Sequence, residues 1–236
     1  MRGLFVTGTD TGVGKTVVTA SLIASMVAAG ERVRAYKPVV TGLDEPSDTA
    51  DGQAWPADHE LLASVAGMSP EDVSPLRFGP AVSPHLAAEL AGVPIDPAAL
   101  LAHARGDTRP VDSWSDEETL IVEGVGGLLV PLAGDYTVCD LAGELELPIV
   151  IAARPGLGTI NHTLLTVRAA RTAGLKTLAV VLTPWPPEPT TMEASNRETI
   201  ERLGEIDVQA LPYVERPEPV DLAATGDSLS WRRWLR

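Results

Sequence analysis

The sequence has a single cysteine, Cys139, among 236 residues, and its 18 Lys and Arg fall well short of its 32 Asp and Glu. One thiol cannot close an internal disulfide, and with no Cys or His cluster around it Cys139 cannot anchor a zinc site. It reads as a packing residue of core or surface. The shortage of basic residues leaves a formal net charge of −14 and a pI near 4.6. That balance argues against a sequence-independent grip on nucleic acid or anionic lipid, both of which need clustered Lys and Arg, and favours a small-molecule partner. Long apolar runs are missing too. None approaches the roughly 20 residues that cross a bilayer, and Met1-Arg2-Gly3 leads straight into a short strand pattern rather than a signal-type apolar region. A cytoplasmic protein is expected, without membrane or nucleic-acid partners. No internal repeat is visible, and the length together with 44% hydrophobic content suits one compact α/β domain over 1–236.

What the chain does have is alternation. Leu4-Phe5-Val6 is a short apolar run that stops at a glycine-rich turn, after which Val17 to Ala29 is rich in small and apolar helix-compatible residues up to Gly30. Val33 to Tyr36, Leu120-Ile121-Val122, Ile149-Val150-Ile151 and Leu178 to Leu182 read as further buried strands. Between the last two, Asn161 to Ala173 has helical spacing and ends at Gly174, a suitable C-cap. Strands alternating with helices predict a mostly parallel sheet covered on both faces. The stretch from Gly42 to Trp114 mixes Pro, Asp and Gly with short helical pieces at Glu60 to Ala66 and Ala98 to Ala104, and is expected to be an irregular insertion over the sheet's edge. Pro184 to Pro189 is expected to be a stiff surface loop.

The turn after the first strand reads GTDTGVGKT, Gly8 to Thr16. A phosphate chain can be bound without bulky side chains if consecutive backbone N–H groups point inward at a helix N-terminus, and Gly12 and Gly14 permit that approach. Lys15 would then reach the β- and γ-phosphates and the Thr16 hydroxyl a magnesium ion. The spacing is a variant of GxxxxGK[ST], because Thr9 stands where the first glycine is expected.

Two further positions fall at strand ends. Lys37 follows the second strand in YKPVVTG, and the carboxyl ends of strands in open parallel sheets are where ligands bind, although an ordinary solvated lysine fits the position as well. Glu123 ends the strand in TLIVEGVGG; an unpaired carboxylate at a buried strand end is costly, so it needs either a metal ion or another cation. Asp58 is a third acidic candidate, but Asp44, Asp48 and Asp51 share its polar stretch.

Taken in order, GTDTGVGKT, KPVVTG, SPHLAA, EGVGG and GLGTINH resemble the dethiobiotin synthetase family, from Phe5 to about Pro212. The resemblance implies a homodimer with a P-loop sheet of about seven strands. It also implies an enzyme that converts 7,8-diaminopelargonic acid, carbon dioxide and ATP, with Mg2+, into dethiobiotin, ADP and phosphate. On that basis Lys15 and Lys37 are the catalytic cations, and Thr16, Asp58 and Glu123 the magnesium set, Asp58 being chosen because DHELLASVAG places the family's helix after the acid. Nucleotide contacts are implied for Gly12, Val13, Gly14, Lys15, Thr16 and Val17, for Asp58, for Glu123, Gly124, Val125 and Gly126, and for Thr183, Pro184, Pro212, Tyr213 and Val214. Thr11, Lys37 and Thr41 are implied at the diamine, and Gly158, Thr159 and Asn161 where a partner subunit's substrate carboxylate docks. Read without the family, GLGTINH is a helix cap provided by Thr159 or Asn161. His85 is expected to order its loop and His162 to face a helix neighbour or solvent. Thr183-Pro184 departs from the family's base-reading Asn, which leaves base preference open, and Val125 replaces the usual alanine. A partner-controlled ATPase switch is the nearest rival; it would carry KGGxGK[ST], and Asp10 occupies the position of its first lysine. An amide synthetase of the cobyrinate type would need a glutamine-hydrolysing domain with a reactive cysteine, for which the chain has no room.

Overall fold

The computed structural model describes residues 1–45, 55–107 and 118–236. Strand β1 (Gly3–Gly8) runs through the glycine-rich turn into α1 (Lys15–Ala28), and β2 (Val33–Tyr36) and the short β3 (Val39–Val40) follow. Next come α2 (Asp58–Ala66), α3 (Pro70–Val73), β4 (Leu76–Arg77), α4 (Pro84–Ala91) and α5 (Pro97–Arg105). Strand β5 (Thr119–Glu123) precedes a small hairpin of β6 (Pro131–Ala133) and β7 (Tyr136–Thr137), which leads into α6 (Val138–Glu144). The chain then alternates β8 (Ile149–Ala153), α7 (Thr159–Thr172), β9 (Thr177–Trp185), α8 (Thr191–Gly204) and β10 (Asp207–Pro212), and closes with α9 (Pro219–Gly226) and α10 (Trp231–Trp234).

Six strands form one parallel sheet in the order β10-β9-β8-β1-β5-β2, one fewer than the family resemblance implies among the described residues. Side chains alternate between two cores, one on each face. Phe5, Leu120, Val122, Ile149 and Ile151 point into one, and Leu4, Val6, Ile121 and Val150 into the other. A strand buried on both faces has no polar face to show, which is why these segments read as continuous apolar runs.

Chain direction reverses around β1. From β1 the path goes through α1 to β2 on one side, whereas β8, β9 and β10 continue outward on the other. The crevice beyond the carboxyl ends of β1 and β8 is therefore the switch point at which ligands of open α/β sheets sit.

Two sequence expectations change. Pro184 and Trp185 belong to β9, which runs to Trp185, so the surface loop starts only at Pro186. Beside edge strand β2, the described parts of the segment after Gly42 hold four helices: α2 and α5 fall where helical pieces were expected at Glu60 to Ala66 and Ala98 to Ala104, whereas α3 and α4 are additional. Leu61 and Leu62 of α2 enter the core under α1, and Leu100 and Ala104 of α5 enter the opposite core. Helices as short as α3, of four residues, and α4, of eight, carry little periodicity, which hides them from sequence. Cys139 packs in the core, as a small hydrophobe does.

The C-terminal helices close over α1. Trp231 Nε1 donates to Ser25 Oγ at 3.0 Å, and α9 approaches so closely that a Cβ at Gly226 would stand 1.9 Å from Ser21 O. Gly226→Ala is expected to force these helices apart at a cost of about 3 kcal/mol, a fall in Tm of roughly 6–12 °C by calorimetry. An unchanged Tm would show that the two helices separate freely.

Candidate nucleotide and catalytic site

The site is built where β1, β2 and β5 end. Gly8 closes β1, and a Cβ there would meet Val13 Cγ2 at 2.8 Å and Lys15 Cδ at 3.0 Å, so the loop folds back directly over its own strand. This close approach accounts for a glycine at position 8 although the standard spacing expects one at 9. Gly14, at φ 92, is the N-cap of α1, and its carbonyl accepts from Val18 N at 3.0 Å. That left-handed conformation suits glycine and turns the loop into the helix. Val13 packs into the core beneath the loop.

Above the loop lies a cleft of about 890 Å3, lined by Thr11, Gly12, Gly14, Lys15, Thr16 and Val17 on the loop side. Lys37, Thr41, Val125 and Gly126 face it from the segments after the other strands and Asp58 from the start of α2, and Trp55, Ser83 and Pro84 form part of its wall. The SPHLAA segment thus contributes Ser83 and Pro84, while His85 lies outside the lining and is exposed.

Lys37 is only 3% exposed, so it is no solvated lysine. Its Nζ donates to Asp58 Oδ2 at 2.6 Å and to Glu123 Oε1 at 2.5 Å, and the Thr16 hydroxyl donates to the same Glu123 oxygen at 3.0 Å. Burial alone would lower the Lys37 ammonium, but the two carboxylates outweigh it and raise its pKa above the ordinary lysine value. Glu123 is fully buried, and desolvation pushes its carboxyl up against the pull of Lys37. Burial would also raise Asp58, yet the charge and hydrogen bond of Lys37, helped by Thr16, hold it below the ordinary value. Among the described residues Lys15 has no carboxylate in contact: its Nζ donates to Asp10 O at 2.9 Å. Burial is the largest influence on it and, with repulsion from Lys37, brings its pKa down to about 8.

Of the competing acids, Asp44 lies against Gly79, away from this cluster, and Asp48 and Asp51 lie outside the described residues. Glu123 Oε2 is buried without a hydrogen-bond partner among the described residues. It is an oxygen acceptor beside the Thr16 hydroxyl, with Asp58 across Lys37.

The remaining predicted residues separate into groups. Gly124 packs against Phe5 and Val138 rather than lining the cleft. Thr183 is buried beside the loop, where a Cβ on Gly14 would come within 2.7 Å of its Cγ2. Pro184, Pro212 and Tyr213 are exposed, Val214 is turned into the core, and none of the five positions Thr183, Pro184, Pro212, Tyr213 and Val214 lines the cleft. Gly158 and Asn161 line a separate cavity of about 440 Å3 with Leu157, Leu165 and Arg168. The N-cap of α7 is Gly158 at φ 90 with no side-chain cap, so neither Thr159 nor Asn161 caps the helix; Thr159 Oγ1 instead lies 3.3 Å from Thr163 Oγ1. His162 is exposed. Sequence reasoning missed Arg154, which follows β8 at the same sheet edge and bonds to the P-loop backbone. A basic residue directly after a strand was its signal, the same one that marked Lys37.

The chain matches the AAA domain family over residues 2–218. It is 38% identical over 205 residues to the ATP-dependent dethiobiotin synthetase of Bacillus subtilis (strain 168), covering 86% of this chain and 83% of that protein. To the ATP-dependent dethiobiotin synthetase of Anaeromyxobacter sp. (strain Fw109-5) it is 43% identical over 183 residues, covering 77% and 76%. A ParA family ATPase from Chlorobium tepidum TLS superposes with a TM-score of 0.51 over 99% of this chain and 94% of that one, at 11% identity, a likeness of fold alone.

The low Lys15 pKa gives the cleft a signed pH response. Below about 8 the side chain is already an ammonium; above it, a phosphate-bearing ligand must recharge it. Binding of ADP at pH 9 is expected to take up close to one proton per site and to be about tenfold weaker than at pH 7. Calorimetry in two buffers of different ionisation heat measures the uptake. No buffer dependence at pH 9 would mean that Lys15 does not titrate on binding.

Proposed function

Because the chain belongs to the dethiobiotin synthetase family of P-loop enzymes, we propose that the cleft over the P-loop joins a diamine, carbon dioxide and ATP and closes a ureido ring. One amine of 7,8-diaminopelargonic acid takes up carbon dioxide and loses a proton, giving a carbamate. A carbamate oxygen attacks the γ-phosphorus and ADP departs. The second amine then attacks the carbamoyl carbon, forming the second C–N bond, and inorganic phosphate leaves to give dethiobiotin. No protein nucleophile is required; positioning and charge neutralisation carry phosphoryl transfer.

The observation that carries this reading is Lys37, a buried ammonium at the cleft held charged by Asp58 and Glu123. It supplies fixed positive charge for the carbamate and the transferring phosphoryl group, while Lys15, from the loop, meets the β- and γ-phosphates. Thr11 and Thr41, which line the same cleft, are suited to the diamine.

Among the described residues no cluster of three or more His, Cys, Asp or Glu forms a self-contained metal site. A hydroxyl and two carboxylates, one with a partnerless buried oxygen, nevertheless fit Mg2+, a hard cation that keeps waters and takes phosphate oxygens as its remaining ligands. Thr16, Asp58 and Glu123 would hold it, and when bound it supplies charge neutralisation between the β- and γ-phosphates. A homodimer fits the second cavity, where Leu157 is 93% exposed beside the open N-terminus of α7, an end that suits a substrate carboxylate arriving from another subunit. Asp10 turns its carboxylate to Thr11 N at 2.7 Å and offers no cation to a neighbouring nucleotide, which disfavours a partner-controlled switch.

Purified protein given diaminopelargonic acid, bicarbonate, ATP and Mg2+ is expected to release phosphate and form dethiobiotin, detected by mass spectrometry; absence of dethiobiotin sinks the reading. Running the assay across several nucleoside triphosphates reads the base preference. Lys37→Ala is expected to lower kcat by roughly 100- to 1,000-fold with the fold retained by circular dichroism. Unchanged turnover would remove Lys37 from the chemistry.

A further inference from the structure

Arg154 follows β8 at the switch point, one strand over from the P-loop. Gly8 of β1 is in register with Ala152 of β8, and Thr9 N donates to Ala152 O at 3.0 Å, so the loop and the arginine leave the sheet side by side. The guanidinium grips the loop's backbone: Nε and Nη2 donate to Gly12 O at 3.1 and 2.8 Å. Gly12 lines the cleft and Arg154 does not, so the arginine reaches this carbonyl from outside the cleft lining.

The peptide joining Gly12 to Val13 is trans, the sole cis bond among the described residues being Thr183–Pro184. In a trans peptide the carbonyl and the following N–H point in opposite directions. With Gly12 O held by Arg154, Val13 N–H is directed away from the arginine, the sense in which a backbone N–H of a P-loop can serve the α- and β-phosphates. Glycines at 12 and 14, both with positive φ, make this peptide easy to rotate, so an external restraint matters here. The restraint is itself anchored. Buried Asn196 of α8 donates through Nδ2 to Pro155 O at 2.9 Å and Gly156 O at 3.2 Å, fixing the segment just after the arginine.

We propose that Arg154 is a positioning residue for the phosphate loop, one that sets the Gly12–Val13 peptide and through it a donor to the α- and β-phosphates, without touching the nucleotide. This rests on the nucleotide-binding reading above. Pre-setting a donor lowers the ordering cost of binding rather than stabilising the transferring group, so its loss falls on affinity and not on turnover.

The test compares full-length wild type with Arg154→Ala and Arg154→Lys. In the alanine variant the Kd for ADP and the KM for ATP are expected to rise by the same factor, about tenfold, with kcat at saturating ATP within about twofold of wild type. Free methylguanidinium should restore ADP affinity, and the lysine variant, with one remaining cation, should recover part of it; a merely structural role would show neither effect. Equal ADP affinity in wild type and Arg154→Ala overturns the inference, as does a loss confined to ATP, which would mean direct contact with the γ-phosphate. Should the alanine variant not fold, Arg154→Lys reads the same comparison. If wild type itself does not bind ADP, the nucleotide-binding reading falls and this inference with it; if wild type binds and the variants match it, only this inference falls.

Discussion

A lysine ammonium held out of water between two carboxylates is the contact around which this site is organised. Lys37 comes from the end of β2, Glu123 from the end of β5 and Asp58 from the first turn of α2, three segments far apart in the chain. Leaving either Lys37 or Glu123 alone in that environment would strand a buried charge at a cost of several kcal/mol. The parallel sheet solves the placement, because β2 and β5 are adjacent and run the same way, so their ends meet. The helix that brings Asp58 packs through Leu61 and Leu62 into the core beneath α1, so the acid's position depends on apolar burial rather than on the ion pair itself.

The two lysines of the cleft are electrostatically different. Lys37 has two carboxylates in contact and stays charged, whereas Lys15 has, among the described residues, only a backbone carbonyl and releases its proton more readily than an ordinary lysine. A group that gives up its proton above about pH 8 when alone, and is charged beside phosphate, responds to its ligand in alkaline solution; one that is always charged provides a fixed field. Both behaviours arise from the same residue type, decided by which neighbours the sheet delivers.

Much of this was legible in the sequence, for identifiable reasons. Buried parallel strands announce themselves as apolar runs, and the P-loop carries its chemistry in consecutive residues, so β1, α1, Lys15 and Thr16 could be placed from local pattern. Lys37 and Glu123 were marked by standing at strand ends, but sequence could not tell which cation answers which acid, since pairing depends on strand order. Arg154 escaped because its partner is a backbone carbonyl, and a carbonyl has no residue type to recognise. In the segment after Gly42 the helical pieces of α2 and α5 were legible, while α3 and α4 were missed because they are too short to show a period. Pro184 misled in the opposite direction: a proline-rich stretch suggested loop where the strand continues.

Thr183 presses its methyl group onto the α-carbon side of Gly14, leaving no room between the end of β9 and the turn that opens α1. A longer side chain at 183 would have to leave along the strand's outer side or displace the turn, so the end of β9 sets how closely the glycine-rich loop can settle against the sheet.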